Sequence, residues 1–208
     1  ISAEFPKASY TLNDHVEKID QRCPDIPVNI QYAWNDDKSH VRLSGLIRNL
    51  SYRDMVKEKN RWKLGWAVQL SGMIRLREPL TFYYQGAYGE GYARYINDVS
   101  GFDMDLIPDG HADGKMKAPA VMAVLGGLRY SFSKKFFASA NYSQCHVYRQ
   151  GNLGDKAYRY GQYIAVNGFY SILPDMQIGL EYIHGRRNDM GGASGHANRI
   201  SASVQYSF

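Results

Sequence analysis

Arg61-Trp62-Lys63-Leu64-Gly65-Trp66-Ala67-Val68-Gln69-Leu70-Ser71-Gly72-Met73-Ile74-Arg75-Leu76-Arg77 is the stretch that decides the fold. Its period is two, not 3.6. Trp62, Leu64, Trp66, Val68, Leu70, Gly72, Ile74 and Leu76 share one side, and Arg61, Lys63, Gly65, Ala67, Gln69, Ser71, Met73, Arg75 and Arg77 share the other. A strand in a water-soluble sandwich turns its apolar side to a core. A strand in an outer-membrane barrel turns it to lipid, with Trp and Tyr near the interfaces and polar groups in the lumen. The aromatics on the apolar side favour the second arrangement.

The end of the chain repeats the pattern. Ile200, Ala202, Val204, Tyr206 and Phe208 alternate with Arg199, Ser201, Ser203, Gln205 and Ser207. A final amphipathic strand closing on Phe resembles the assembly signal of bacterial outer-membrane barrels. Working outward, the alternation predicts about ten strands: 1–10, 27–34, 40–52, 60–77, 80–89, 118–132, 135–149, 157–171, 176–187 and 197–208. The connections alternate in length. Residues 35–39, 78–79, 133–134 and 173–175 are short, whereas 11–26, 53–59, 89–117, 150–156 and 188–196 are longer. Short periplasmic turns and longer outer loops are the habit of such barrels. Counting back from a periplasmic end of the last strand puts every short turn on the periplasmic side. The long segment 89–117 either folds inward to narrow a pore or packs as a surface loop.

The chain has 208 residues, a formal net charge of +5, 17 Tyr and 20 Gly. It lacks the run of about 18 apolar residues that a membrane helix requires. It opens on Ile1-Ser2-Ala3-Glu4-Phe5, which reads as strand, so the numbering is expected to start inside a longer mature chain. Cys23 and Cys145 form no metal-ligand cluster. They either pair across a loop or stay free. No cofactor or metal is expected.

The charges carry the functional reading. The alternation places Arg42, Arg48, Lys63, Arg75, Arg129, Arg149, Arg159 and Arg199 on the lumen side, with Arg187 near the outer end. The acid among them is chiefly Glu181. A low-dielectric wall focuses the field of such charges into the water that it encloses, and rings of Arg or Lys make pores prefer anions. The bland reading stands beside this one: inward Arg also pairs with inward Asp or Glu as structural filler. Arg61, Arg77, Lys134 and Lys135 fall at strand ends and read as interfacial anchors. Trp62, Trp66, Tyr130, Phe132, Tyr206 and Phe208 read as membrane-facing aromatics.

Catalysis finds little support. His111 lies in the long loop without a recognisable nucleophile, and His184 falls on the outward side near the outer rim. No GxSxG, HExxH or phosphate-binding glycine loop is present. Nucleic acid is not an expected partner, because the cations are spread over alternate positions of many strands rather than gathered on one exposed face.

One stretch is more specific. Gly179-Leu180-Glu181-Tyr182-Ile183-His184-Gly185-Arg186-Arg187, followed by a Gly-rich loop and Asn198-Arg199-Ile200-Ser201-Ala202-Ser203-Val204-Gln205-Tyr206-Ser207-Phe208, resembles the ending of the DcaP-like porins. Gly91-Tyr92-Ala93-Arg94-Tyr95 is similar to a loop that those porins share, which adds Arg94 to the candidate pore-lining residues. The resemblance implies a barrel of sixteen strands, a homotrimer, and uptake of small organic anions such as dicarboxylates. It also implies about six strands and a coiled-coil region upstream of residue 1. Glu181, Arg186, Arg187 and Arg199 are the residues that it carries over most directly.

The expectation is therefore an all-β, antiparallel transmembrane barrel, of which residues 1–208 are the carboxy-terminal part of a single domain. It would sit in the bacterial outer membrane, in contact with lipid and lipopolysaccharide, and pass small anionic solutes without chemistry. The alternative is a complete small barrel acting as an adhesin, a structural protein or a surface enzyme.

Overall fold

The computed structural model describes residues 1–5, 7–150 and 152–207. Phe208, which carries the carboxy-terminal signal, lies outside the described residues. So do Pro6 within the expected strand 1–10 and Gly151 within the expected loop 150–156.

Twelve strands are present among the described residues. They are β1 (Val16–Lys18), β2 (Ile26–Trp34), β3 (Ser39–Asp54), β4 (Lys59–Arg77), β5 (Leu80–Glu90), β6 (Ile107–Pro108), β7 (Met116–Lys117), β8 (Ala120–Ser131), β9 (Phe136–Val147), β10 (Tyr158–Leu173), β11 (Met176–Asp189) and β12 (Ser194–Tyr206). Ten of them form one sheet in the order β1-β3-β4-β5-β8-β9-β10-β11-β12, with β2 also on β3. Every pairing in this sheet is antiparallel and joins neighbours along the chain, apart from that of β1 with β3 and that of β5 with β8, between which β6 and β7 lie. Among the described residues the sheet stays open, with β12 bonded only to β11.

The two sides of the sheet differ in the way the alternation demands. Val28, Ile30, Leu43, Ile47, Leu64, Val68, Leu70, Leu180, Ile200 and Val204 all lie on one side and are exposed. The other side carries Arg42, Ser44, Gln69, Ser71, Gln85, Ser139, Asn167 and Glu181. Register ties these polar positions to one another: Arg42 pairs Ser71, Ser44 pairs Gln69, and Asn167 pairs both Ser139 and Glu181. Exposed apolar strands with a polar inner side are the pattern of a wall that faces lipid.

Turn chemistry sets the ends. Asn35, Asp36 and Asp37 take positive φ (57°, 51° and 61°) to reverse the chain between β2 and β3, a conformation that Asn and Asp tolerate better than other side chains. Residues 35–38, 78–79, 132–135 and 174–175 join strands at one end of the sheet. Residues 55–58, 91–119, 148–157 and 190–193 join them at the other. The expected difference in length is carried by 91–119 and 148–157. The connection at 55–58 is as short as the turns opposite, because β3 and β4 run further than the hydrophobic pattern alone indicated.

The expected strand 1–10 is not a wall strand. Among its described residues, the only bridges are the isolated ones of Glu4 with Asp25 and of Tyr10 with Met104 and Leu106. The stretch has an exposed start, with Ile1 and Phe5 in the open, and a buried end. Ala8 and Tyr10 are buried on the inner side of the sheet against Leu50, Tyr52, Leu106 and Met116. On the edge of β3, β1 covers residues 52–54 and β2 covers 39–47. The Gln21 side chain serves the interval, donating to the Ser51 carbonyl at 2.8 Å and accepting from the Ser51 N–H at 2.7 Å. A side-chain amide thus completes a ladder that no strand supplies there.

Candidate lumen and its inner loop

Residues 91–119 fold onto the inner side of the sheet, which decides between the two arrangements open to them. Gly91 turns the chain inward at φ +68°, where a residue with a Cβ would be strained. Tyr92 follows and donates from its hydroxyl to the Val121 carbonyl at 3.0 Å. Val99, Met104 and Ile107 of the loop then pack with Ala67, Ala87, Val121, Cys145, Val147 and Tyr158 of the wall. Each such side chain fully withdrawn from water contributes roughly 1.5–3 kcal/mol. The wall makes room at Gly65, where a Cβ would stand 3.0 Å from the Gly91 carbonyl oxygen and 3.2 Å from the Arg48 Cβ.

Arg48 fastens this loop. Its Nε lies 2.9 Å from Asp25 Oδ2 and its Nη1 3.1 Å from Asp105 Oδ2, with the side chains of all three residues fully buried. Nη1 also donates to the Gly91 carbonyl at 2.6 Å. Tyr95 donates to Asp25 Oδ2 at 2.8 Å. Asp105 accepts from the Ser9 and Arg94 N–H groups at 3.1 Å and 3.0 Å. One cation thus serves two carboxylates, one before the wall strand and one in the loop. Burial pushes the Asp105 carboxyl above the ordinary range, against the pull of Arg48 and of the two N–H groups.

The candidate lumen residues divide by position. Arg48 faces inward as the alternation predicts, but it is only 1% exposed. It is closed off from solute, and the filler reading holds for it. Arg94 sits on the loop rather than the wall, its guanidinium 5.5 Å from the Tyr95 ring centre. Arg149 lies beyond the end of β9 and pairs with Asp155 at 3.4 Å, both exposed. Arg159 stands at an irregularity between Tyr158 and Tyr160 in the β10–β11 register. The irregularity interrupts the alternation there. Tyr158 turns inward instead, stacking on Phe102 of the loop at 5.8 Å. Arg61, expected as an interfacial anchor, faces inward and binds buried Asp54 at 2.6 Å. Arg187 lies inward near the outer end, 5.0 Å over the Phe102 ring and 3.0 Å from Asp189.

The remaining cations line the open inner side. Arg42 donates from Nε and Nη2 to the Gln31 side-chain oxygen, at 2.9 Å and 2.6 Å. Lys63 is exposed beside Leu50. Arg199 donates to the Ser201 hydroxyl at 2.9 Å. Arg75 reaches Glu78 at 3.6 Å, and Arg129 lies 3.7 Å over the Phe137 ring. Register places Arg75, Thr81, Arg129, Ser139, Asn167, Glu181 and Ser201 in one transverse row across seven strands. Ser139 donates to Asn167 at 2.6 Å, and Asn167 donates to Glu181 at 3.3 Å. The row is basic at one end and acidic at the other. Sequence reasoning found these cations but missed the Asp25–Arg48–Asp105 cluster, whose only signal was the acidic content of the long loop. Cys23 is exposed and Cys145 buried, both free, and no group of metal ligands occurs among the described residues.

No family model matches this sequence, and no curated protein matches it. Among solved structures, the outer-membrane channel DcaP of Acinetobacter baumannii superposes with a TM-score of 0.80, covering 99% of this chain and 57% of that one. The chain has an outer-membrane channel fold. At 18% identity the likeness concerns the fold, and the chain spans a little over half the length of that channel. The NanC porin gives a TM-score of 0.45 at 12% identity, over 96% of this chain and 97% of that one, below the level at which a shared fold is read. In this fold, the exposed apolar side of β2–β5 and β8–β12 is the lipid-facing surface. The polar side, with the loop packed on it, is the lumen wall.

Proposed function

We propose that the chain forms part of a porin that passes small anionic solutes, dicarboxylates among them, by diffusion through the outer membrane as a homotrimer. The observation that carries this reading is the inner side of the wall, where Lys63, Arg129 and Arg199 have no acidic partner among the described residues. Arg75 has only exposed Glu78 at 3.6 Å. Unneutralised cations on a low-dielectric wall raise the local concentration of anions. Arg also offers a planar fork that matches a carboxylate. The loop 91–119 narrows the passage by occupying part of the inner side. No bond is made or broken, so the reading needs no catalytic residue or cofactor. The small-barrel alternative needs a closed sheet, and among the described residues the ten strands form an open one.

The test is planar-bilayer conductance of the full-length protein, with reversal potential under a salt gradient. Wild-type channels are expected to be anion-selective. The Arg75→Gln/Arg129→Gln channel should conduct with its selectivity shifted toward cations. Unchanged selectivity in the double variant would remove the charge argument, and a correctly inserted protein that conducts nothing would remove the porin reading.

A further inference from the structure

The outer end of β4 reads Lys59-Asn60-Arg61-Trp62-Lys63. Alternation turns Lys59, Arg61 and Lys63 to the same inner side, in register with Asp54, Tyr52 and Leu50. The β6–β7 hairpin of the inner loop comes up against them, anchored where the Met116 N–H meets the Tyr52 hydroxyl at 3.3 Å. Between hairpin and strand lies a cleft of about 480 Å³, lined by Tyr52, Lys59, Arg61, Lys63, Asp109 and Lys115 among others.

The acids near this cleft are already engaged. Asp54 binds Arg61 at 2.6 Å and accepts from the Val56 and Lys57 N–H groups, each at 3.0 Å. Asp109 binds Lys117 at 3.2 Å and accepts from the His111 N–H at 3.1 Å. Lys59, Lys63 and Lys115 are in no ion pair among the described residues. Three lysines without an acidic partner therefore line one cleft with mostly polar walls. An ammonium is a compact point charge with rotatable donors, and it favours a multiply charged, tetrahedral oxyanion over a flat or greasy one. The cleft lies on the inner side, at the end that carries the long loop. A solute would meet it before the Arg75–Arg129 row.

We propose that this cleft is a binding site for soluble phosphate-type oxyanions, such as phosphorylated small solutes, at the outer mouth of the lumen. The proposal rests on the porin reading only for the direction of approach. Binding itself is an equilibrium property of the cleft.

The probe is inorganic pyrophosphate, titrated into the full-length protein in lipopolysaccharide-free nanodiscs and followed by 31P line width. Lys59→Gln/Lys63→Gln/Lys115→Gln should weaken binding at least about tenfold, since each lost charge removes a direct attraction in a partly enclosed site. Lys134→Gln/Lys135→Gln, at the opposite end of the sheet, should bind as the wild type does. Lys115→Gln alone, in the exposed turn of the hairpin, should weaken binding severalfold and covers the case in which the triple variant does not fold. Equal affinity in the wild type and in Lys115→Gln would overturn the proposal. So would pyrophosphate displacement by added lipopolysaccharide, which would assign the cleft to a lipid headgroup. A protein that binds pyrophosphate but does not conduct keeps the site and loses the porin reading. One that conducts selectively without binding does the reverse.

Discussion

Arg48 holds Asp25 and Asp105 in a space that water does not share, so its removal leaves both carboxylates without a counter-charge. Breaking a buried pair of this kind costs about 3–5 kcal/mol. Arg48→Met should therefore lower the temperature at which the folded form is lost on heating, as read by gel mobility. Asp105→Asn should be milder, because Arg48 keeps Asp25. The raised Asp105 carboxyl adds a pH dependence. Its folded value lies above its unfolded one, so the loop gains stability as pH falls through the folded value. The gain is complete below the ordinary carboxylate range and is lost again as pH rises. Hydrogen exchange at loop amides near Asp105, corrected for intrinsic rate, should slow in the wild type as pH is lowered from neutrality toward the ordinary carboxylate range. In Asp105→Asn the corrected rates should not change with pH. The side that Arg48 faces was legible from alternation alone. Its partners were not, because Asp25 and Asp105 lie in segments without periodicity and the pairing exists only once the loop folds inward.

Strands were the legible elements. The stretch 61–77 shows why: each outward residue is apolar, so a one-residue slip would move the whole set to the wrong side. Leu70 faces outward and Gln69 inward. Leu70→Arg should cost about 2–4 kcal/mol if it lies near the bilayer middle, whereas Gln69→Arg should be nearly silent. Folding yield into lipid vesicles across a urea series separates the two, and equal yields would contradict the assigned faces. Alternation failed in two places for physical reasons. At Tyr158–Tyr160 a register irregularity interrupts the parity, so counting by twos does not fix the side of Arg159. Residues 1–10 alternate weakly and instead pack Ala8 and Tyr10 against the loop. That contact is tertiary, and no local pattern announces it.

Along one transverse row of the wall, charge is graded rather than uniform. The row from Arg75 and Arg129 to Glu181 runs from basic to acidic, so the inner surface carries a transverse field as well as a net sign. Removing the acidic end should sharpen the preference for anions. Glu181→Gln is expected to move the reversal potential further toward the chloride limit at low salt and less at high salt, where screening shortens the reach of each charge. No shift at low salt would contradict a transverse field set by Glu181.

The segment around Ser9 and the loop around Asp105 meet through the Asp105 N–H donating to the Ser9 carbonyl at 2.9 Å and the Thr11 N–H donating to the Leu106 carbonyl at 3.0 Å. Of the strands between them, β2 to β5 are joined hairpin to hairpin and can zip locally. This meeting cannot occur until β3, β4 and β5 stand side by side. Assembly then has a fixed sequence in time, with the wall first and the enclosed pair of segments last. A protease offered during refolding should find residues near Ser9 and Asp105 open to cutting after the strand tryptophans have already reached their final fluorescence.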